Sequence, residues 1–141
     1  MIRRLLVVFL VASSLVGCGG ADEMPTLSFD GESATYSGPE VLSEMPTTFV
    51  LENPTMGMVM FGWAVSSDAS ITLEDEIAWI DSHGTDEAPP WVEDYGHIGV
   101  NFMNDTREES LEVPDGHVML WAETRGDDAV YPAAYVTVDA G

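Results

Sequence analysis

Apolar residues are distributed along this chain in two different ways. The first is a single block, "LLVVFLVASSLV", directly behind Met1, Ile2, Arg3 and Arg4. From residue 26 onward they come in short groups closed by Gly, Pro, Asn or Asp: "TLSFDG", "SATYSG", "TTFVLENP", "MVMFGWAV", "IGVNFMND", "REESLEVPDG", "HVMLWAET" and "VYPAAYVTVD". Groups of this length, rich in β-branched and aromatic residues and bounded by turn formers, predict strands. Their even succession along one chain of domain size predicts an all-β, Greek-key β-sandwich with a single core.

One segment has another period. "ITLEDEIAWIDSHG" places Leu73, Ile77 and Ile80 at i, i+4 and i+7, which predicts one inserted α-helix around residues 72–83. Thr72 is its N-cap with Asp75 three residues on, Glu74, Asp75 and Glu76 favour the positive end of the helix dipole, and Gly84 closes it. "EAPPWVEDYGH" prolongs this excursion as a proline-stiffened, loop-like segment carrying Trp91 and Tyr95. The strand in "MGMVMFGWAV" is apolar at odd and even positions alike, so it is expected to be central and covered on both faces, with the helix as the second cover.

The opening block has the layout of a secretory signal: a cationic start, an apolar run and a small-residue exit. It is shorter than the about 20 residues that a membrane span needs. It ends in Leu15, Val16, Gly17 and Cys18, which together resemble the lipobox of bacterial lipoproteins. That resemblance implies cleavage before Cys18, diacylglycerol on its thiol, and further acylation (palmitate) of the new amino group. The expected product is an extracytoplasmic protein, lipid-anchored in the cell envelope, periplasmic or at the cell surface. The chain then divides into a signal peptide (1–17), a flexible tether "CGGADEMP" (18–25) and a domain (26–141). Cys18 is the only cysteine, so no internal disulfide competes for it. Two acyl chains anchor stably where one is marginal.

Charge narrows the function classes. There is no lysine, and loss of the signal leaves Arg107 and Arg125 as the only strong bases against 25 acids. Such a surface repels phosphates, which excludes nucleic acid as a partner. The acids are interspersed among 45% apolar residues, which argues for a folded domain and against a disordered acidic tail. Adaptation to high salt, where repulsion is screened within about 3 Å at 1 M, accounts for the excess, and a fold that requires molar salt is the corresponding expectation. No D-x-[DN]-x-[DN]-G loop is present, so cation attraction is expected to be diffuse and nonspecific.

From residue 26 to about 139, the order of "FVLENPT", an apolar strand, "TLEDEIAWI", "PPWVEDYG", "EESLEVPDG" and "AAYVTV" is similar to that of exported plastocyanin-like lipoproteins, a cupredoxin-like group. In blue-copper members a cysteine thiolate, two imidazoles and a weak thioether hold the metal. The resemblance implies a thiolate near the end of the penultimate strand, where this chain has Trp121 and Ala122, and no His, Cys or Met follows. It also implies an imidazole after the "NP" turn, where Met and Gly stand. The implied molecule is a cupredoxin-like scaffold without type 1 copper and without a cofactor, whose activity does not carry over from the fold.

What remains is a binding or interaction module, not an enzyme, with an envelope protein or small ligand as partner. Its candidate surface is the excursion 71–97, with Trp91, Tyr95, Glu93 and Asp94. The alternative is a soft-metal (copper) carrier using Met56, Met58 and Met60, which alternate along one strand, with His97 and His117. The plainer role of those methionines is to fill core space, and that of His83 is to complement a helix C-terminus. A third class, a small enzyme with Glu93 and Asp94 as an acid–base pair, lacks any G-x-S-x-G or glycine-rich phosphate loop beside it.

Overall fold

A computed structural model describes residues 23–125 and 129–141. The signal peptide, Cys18 and most of the tether lie outside the described residues. The elements follow in the order β1 (Thr26–Phe29), β2 (Ala34–Ser37), β3 (Val41–Leu42), β4 (Thr47–Asn53), β5 (Val59–Ser66), α1 (Leu73–His83), β6 (Val92–Asn101), β7 (Asp105–Leu111), β8 (Gly116–Thr124) and β9 (Val130–Val138). They form two sheets, β2-β1-β4-β7 and β3-β9-β8-β5-β6. Pairing is antiparallel except for β1 with β4 and β3 with β9, and the chain crosses between sheets after β2, β3, β4, β6 and β7. The described residues form an all-β sandwich with one helix.

Alternation decides which side chains meet between the sheets. Leu27, Phe49 and Leu51 of the first sheet and Phe61, Val118 and Leu120 of the second are all fully buried in one cluster. Burying each stabilises the fold by about 1.5–3 kcal/mol. The expected double cover of β5 is found, since all eight of its residues are buried. Val59, Phe61, Trp63 and Val65 face the sandwich core, whereas Ala64 joins Met119 and Trp121 in a second cluster on the outer face, flanked by Val92, Val130 and Tyr135.

The helix forms where its capping box predicts. Thr72 N donates to Asp75 Oδ2 at 2.8 Å and Asp75 N donates back to Thr72 Oγ1 at 3.3 Å, while Gly84, with a φ of 78°, donates to Ile80 O at 2.8 Å. Its buried face differs from the expected one. Ile77 is 42% exposed, and the buried residue is Glu76, at 1%. The inward face of the helix carries Leu73, Glu76, Trp79 and Ile80, and there the Glu76 carboxyl meets two half-buried donors, Trp91 and Tyr135.

Three boundaries also move. The residues from Val92 to His97, expected within the loop-like excursion, are instead the first part of β6, an edge strand paired with β5. Its exposed acids, Glu93 and Asp94, hide the strand pattern because an edge strand has solvent on one side. The two-residue β3 is too short to leave a pattern. Residues 23–25, expected within the flexible tether, already touch the sandwich: Val50 N donates to Pro25 O at 2.8 Å, and Ser37 Oγ donates to the Glu23 carboxylate.

Candidate functional site

The outer face of the second sheet becomes a site because one residue has no side chain there. Gly62 on β5 lies opposite Trp121 on β8 and His97 on β6. A Cβ at Gly62 would stand 2.2 Å from the Trp121 ring, so the missing methyl is what lets the indole lie flat on the sheet. His97 meets that indole edge-to-face at 5.9 Å. Register shifts in both neighbouring ladders, between Phe61 and Gly62 and between Leu120 and Trp121, fall on this same row. Bulges of this kind re-aim side chains.

Above this face, α1 and the segment 84–89 border an open cavity of about 320 Å³. Trp121, Met119, Tyr95 and His97 line its sheet side, and Glu76 and Ile80 line its helix side. Asp86, Glu87 and Glu123 also line it, and no Lys or Arg does so among the described residues. Its volume is at the small end of the range of small-molecule sites.

Glu76 is the unusual group. Its Oε1 accepts from Trp91 Nε1 at 2.6 Å and from Tyr135 OH at 2.7 Å. Its Oε2 is buried with no hydrogen-bond partner among the described residues. Burial, and then the hydrogen bond and charge of Glu76, push the Tyr135 phenol well above its ordinary value of 10.0, so it remains a donor. Tyr135 is held from its other side by His117, stacked on it at 4.0 Å, while His117 Nε2 bonds Ile71 O at 2.7 Å and so ties β8 to the chain entering the helix. Trp91 is braced edge-on by Trp79 at 5.8 Å, and Trp79 stacks on His83 at 3.5 Å. A carboxyl in apolar surroundings with one oxygen unpaired is costly to keep.

The residues singled out from sequence divide. Trp91 is half-buried and donates through Nε1 to Glu76. Tyr95 is 66% exposed and lines the cavity, whereas Glu93 and Asp94 are exposed on β6 and are not part of its lining. Met56, Met58 and Met60 do not share one strand face: β5 begins only at Val59, Met56 is 80% exposed and Met60 is 7% exposed. His97 and His117 pair with Gly62 and Ser66, four positions apart on β5, which is about 13 Å along a strand. Among the described residues no three His, Cys, Asp or Glu side chains gather in metal-binding geometry. The positions where a copper thiolate is implied hold Trp121, on the outer face, and Ala122, fully buried in the core.

Sequence reasoning missed Glu76, Trp121 and Tyr135 as members of one site. A signal for Glu76 exists: it is the acidic residue between Leu73 and Ile80 on a single helical face, with Trp79 beside it. Among the described residues no helix is long and apolar enough to cross a membrane. No protein-family model, no curated protein and no solved structure matches this chain.

Proposed function

We propose that this chain is a lipid-anchored, extracytoplasmic binding module that takes a small ligand into the cavity between α1, the segment 84–89 and the outer face of the second sheet. The observation that carries this reading is Glu76, a 1%-exposed carboxyl that lines the cavity with one oxygen unpaired. A fold that needed only a well-covered sheet would gain by placing an apolar residue there, since replacing buried charge by hydrophobic volume is often neutral or stabilising. Retaining the carboxyl, and bracing it with two aromatic donors, supports a role in recognition.

The anchor rests on the lipobox-like Leu15–Val16–Gly17–Cys18 and the tether behind it. The strand order, with β1 parallel to β4 and β3 parallel to β9, supports a cupredoxin-like scaffold without its copper. The binding reading is tested by thermal-shift screening of the purified full-length protein in molar salt against small amines, alcohols and carboxylates. Wild type is stabilised by one class and Glu76→Gln is not; a panel that shifts neither protein overturns the assignment. Metabolic labelling with a palmitate analogue tests the anchor: label is lost in Cys18→Ser, and equal labelling of both chains removes the anchor from the proposal.

A further inference from the structure

Resting on the lipid-anchor reading, we infer that the end of the sandwich where β4 turns into β5 and β6 into β7 is a second membrane contact, seating Met56, Phe102 and Met103 in the interface of the bilayer that holds Cys18. The first observation is apolar exposure gathered at one end. Among the described residues, three of the four most exposed large apolar side chains are Met56, Phe102 at 61% and Met103 at 58%. They stand on two turns, 54–58 and 102–104, whose backbones adjoin, since Asn104 N donates to Thr55 O at 2.8 Å. Single exposed apolar side chains are ordinary, whereas a group of them marks a contact surface.

The second observation is how firmly these turns are held. Asn53 and Asn101 are both fully buried. Asn53 Nδ2 donates to Gly57 O at 2.7 Å and to Phe102 O at 2.9 Å, which joins the two turns, while Asn101 Nδ2 donates to Leu51 O at 2.9 Å and Asp105 O at 3.1 Å. Turns fixed by buried amides dock at a small ordering cost.

What covers the turns follows from the tether. Glu23 is held by Ser37, which pairs with Thr26, itself opposite Val50. That level is about 10 Å along the strands from Asn53. The chain from Cys18 to Glu23 reaches about 17 Å at full extension, so the bilayer carrying Cys18 lies within reach of the turns when the sandwich leans toward them. Apolar side chains at the interface then add to the acyl anchor. Charge selects the lipid. Arg125 is exposed at this end, its N–H donating to Met58 O, and a guanidinium suits a headgroup phosphate. Asp30 and Glu32 are exposed on the β1–β2 turn, whose Gly31 lies next to Thr55, and they repel a net anionic surface. The bilayer that fits is zwitterionic.

The test uses the full-length protein, acylated by its host and reconstituted in molar salt into phosphatidylcholine vesicles with and without bromine on the acyl chains, which quenches indoles that touch them. Phe102→Trp adds an indole at the turns, and Val41→Trp adds one on β3, exposed at the opposite, Ser66 end of the second sheet. Wild type supplies the background of the four native indoles. After subtraction, the indole of Phe102→Trp is expected to emit further to the blue and to lose intensity in brominated vesicles, and that of Val41→Trp to do neither. Quenching of neither, in protein that floats with the vesicles, overturns the contact and leaves the anchor standing. Equal quenching of both also overturns it, since the contact is then not confined to this end. Protein that does not float with the vesicles overturns both readings. Wild type decides even if the variants fail to fold: hydrogen peroxide is expected to oxidise Met56 more slowly than Met24 in vesicles, although Met56 is the more exposed in the domain, and faster oxidation of Met56 overturns the contact.

Discussion

Replacing Gly62 by alanine tests whether the outer face is built around the Trp121 ring. The new methyl would lie 2.2, 2.5 and 2.6 Å from three carbons of that ring. Carbon atoms in contact sit about 3.5–4.0 Å apart, so the indole has to retreat by about 1 Å or more. It has little room, being 7% exposed and flanked by His97. Overpacking of this kind costs about 1–3 kcal/mol. Reduced freedom of the unfolded chain returns about 0.4–1 kcal/mol of that on a Gly→Ala change. A net loss of about 1–2 kcal/mol is expected, measurable against the about 5–15 kcal/mol of a typical domain. The assay is equilibrium urea unfolding in molar salt, followed by far-UV circular dichroism, on Gly62→Ala, Trp121→Leu and the double variant. Trp121→Leu alone costs about 2–4 kcal/mol as a large-to-small core change. The two changes are not additive if the methyl occupies space the indole vacates, and a favourable coupling of about 1 kcal/mol or more is expected. Additivity within about 0.5 kcal/mol, or a Gly62→Ala protein as stable as wild type, refutes the close approach of ring to strand.

Removing the Glu76 side chain leaves Trp91 Nε1 and Tyr135 OH without their acceptor, so Glu76→Ala is expected to lose about 2–4 kcal/mol in the same unfolding assay while Glu76→Gln loses about 1 or less; equal losses would show that the two donors do not depend on this side chain. On the helix, Ile77→Gln is expected to change stability by about 0.5 kcal/mol or less because Ile77 is 42% exposed, and Ile80→Gln by clearly more. The reverse ranking would return the buried face to the plain i, i+4, i+7 row. Thr72→Ala removes the acceptor for Asp75 N and is expected to cost about 1 kcal/mol. Tyr36 and Tyr135 are both held above their ordinary value of 10.0, chiefly by burial, so the folded state keeps protons that the unfolded chain releases. Their contribution is fully present below pH 10 and is lost as pH rises beyond it. Urea midpoints followed from about pH 9 to about pH 11 should fall, and fall less steeply in Tyr135→Phe.

Much of the architecture is legible in the sequence because its causes are local. Thr72 and Asp75 are three residues apart and close a capping box whatever surrounds them. The run from Val59 to Ser66 is apolar at every other position and also between, which requires cover on both faces. The first half of β6 was not legible, because Glu93, Asp94 and Tyr95 sit on a sheet edge where only backbone pairing with β5 makes the strand. The site was less legible still. Glu76 is one of 25 acids, and the donors that distinguish it come from Trp91 and Tyr135, 15 and 59 positions away. Gly62 reads as a weak point in a strand until Trp121 is seen lying on it.

By itself the sequence determined the strand alternation, the helix with both of its ends, and a large excess of acidic over basic residues. These follow from period, from caps and from composition, none of which needs a distant neighbour. Only the tertiary structure decided which helix face turns inward, which carboxyl among many is buried, and that this residue and the Trp121 indole line one cavity. Those are properties of contacts between residues far apart in the chain. Burial and hydrogen bonding across that separation turn an ordinary glutamate into a candidate ligand-binding group.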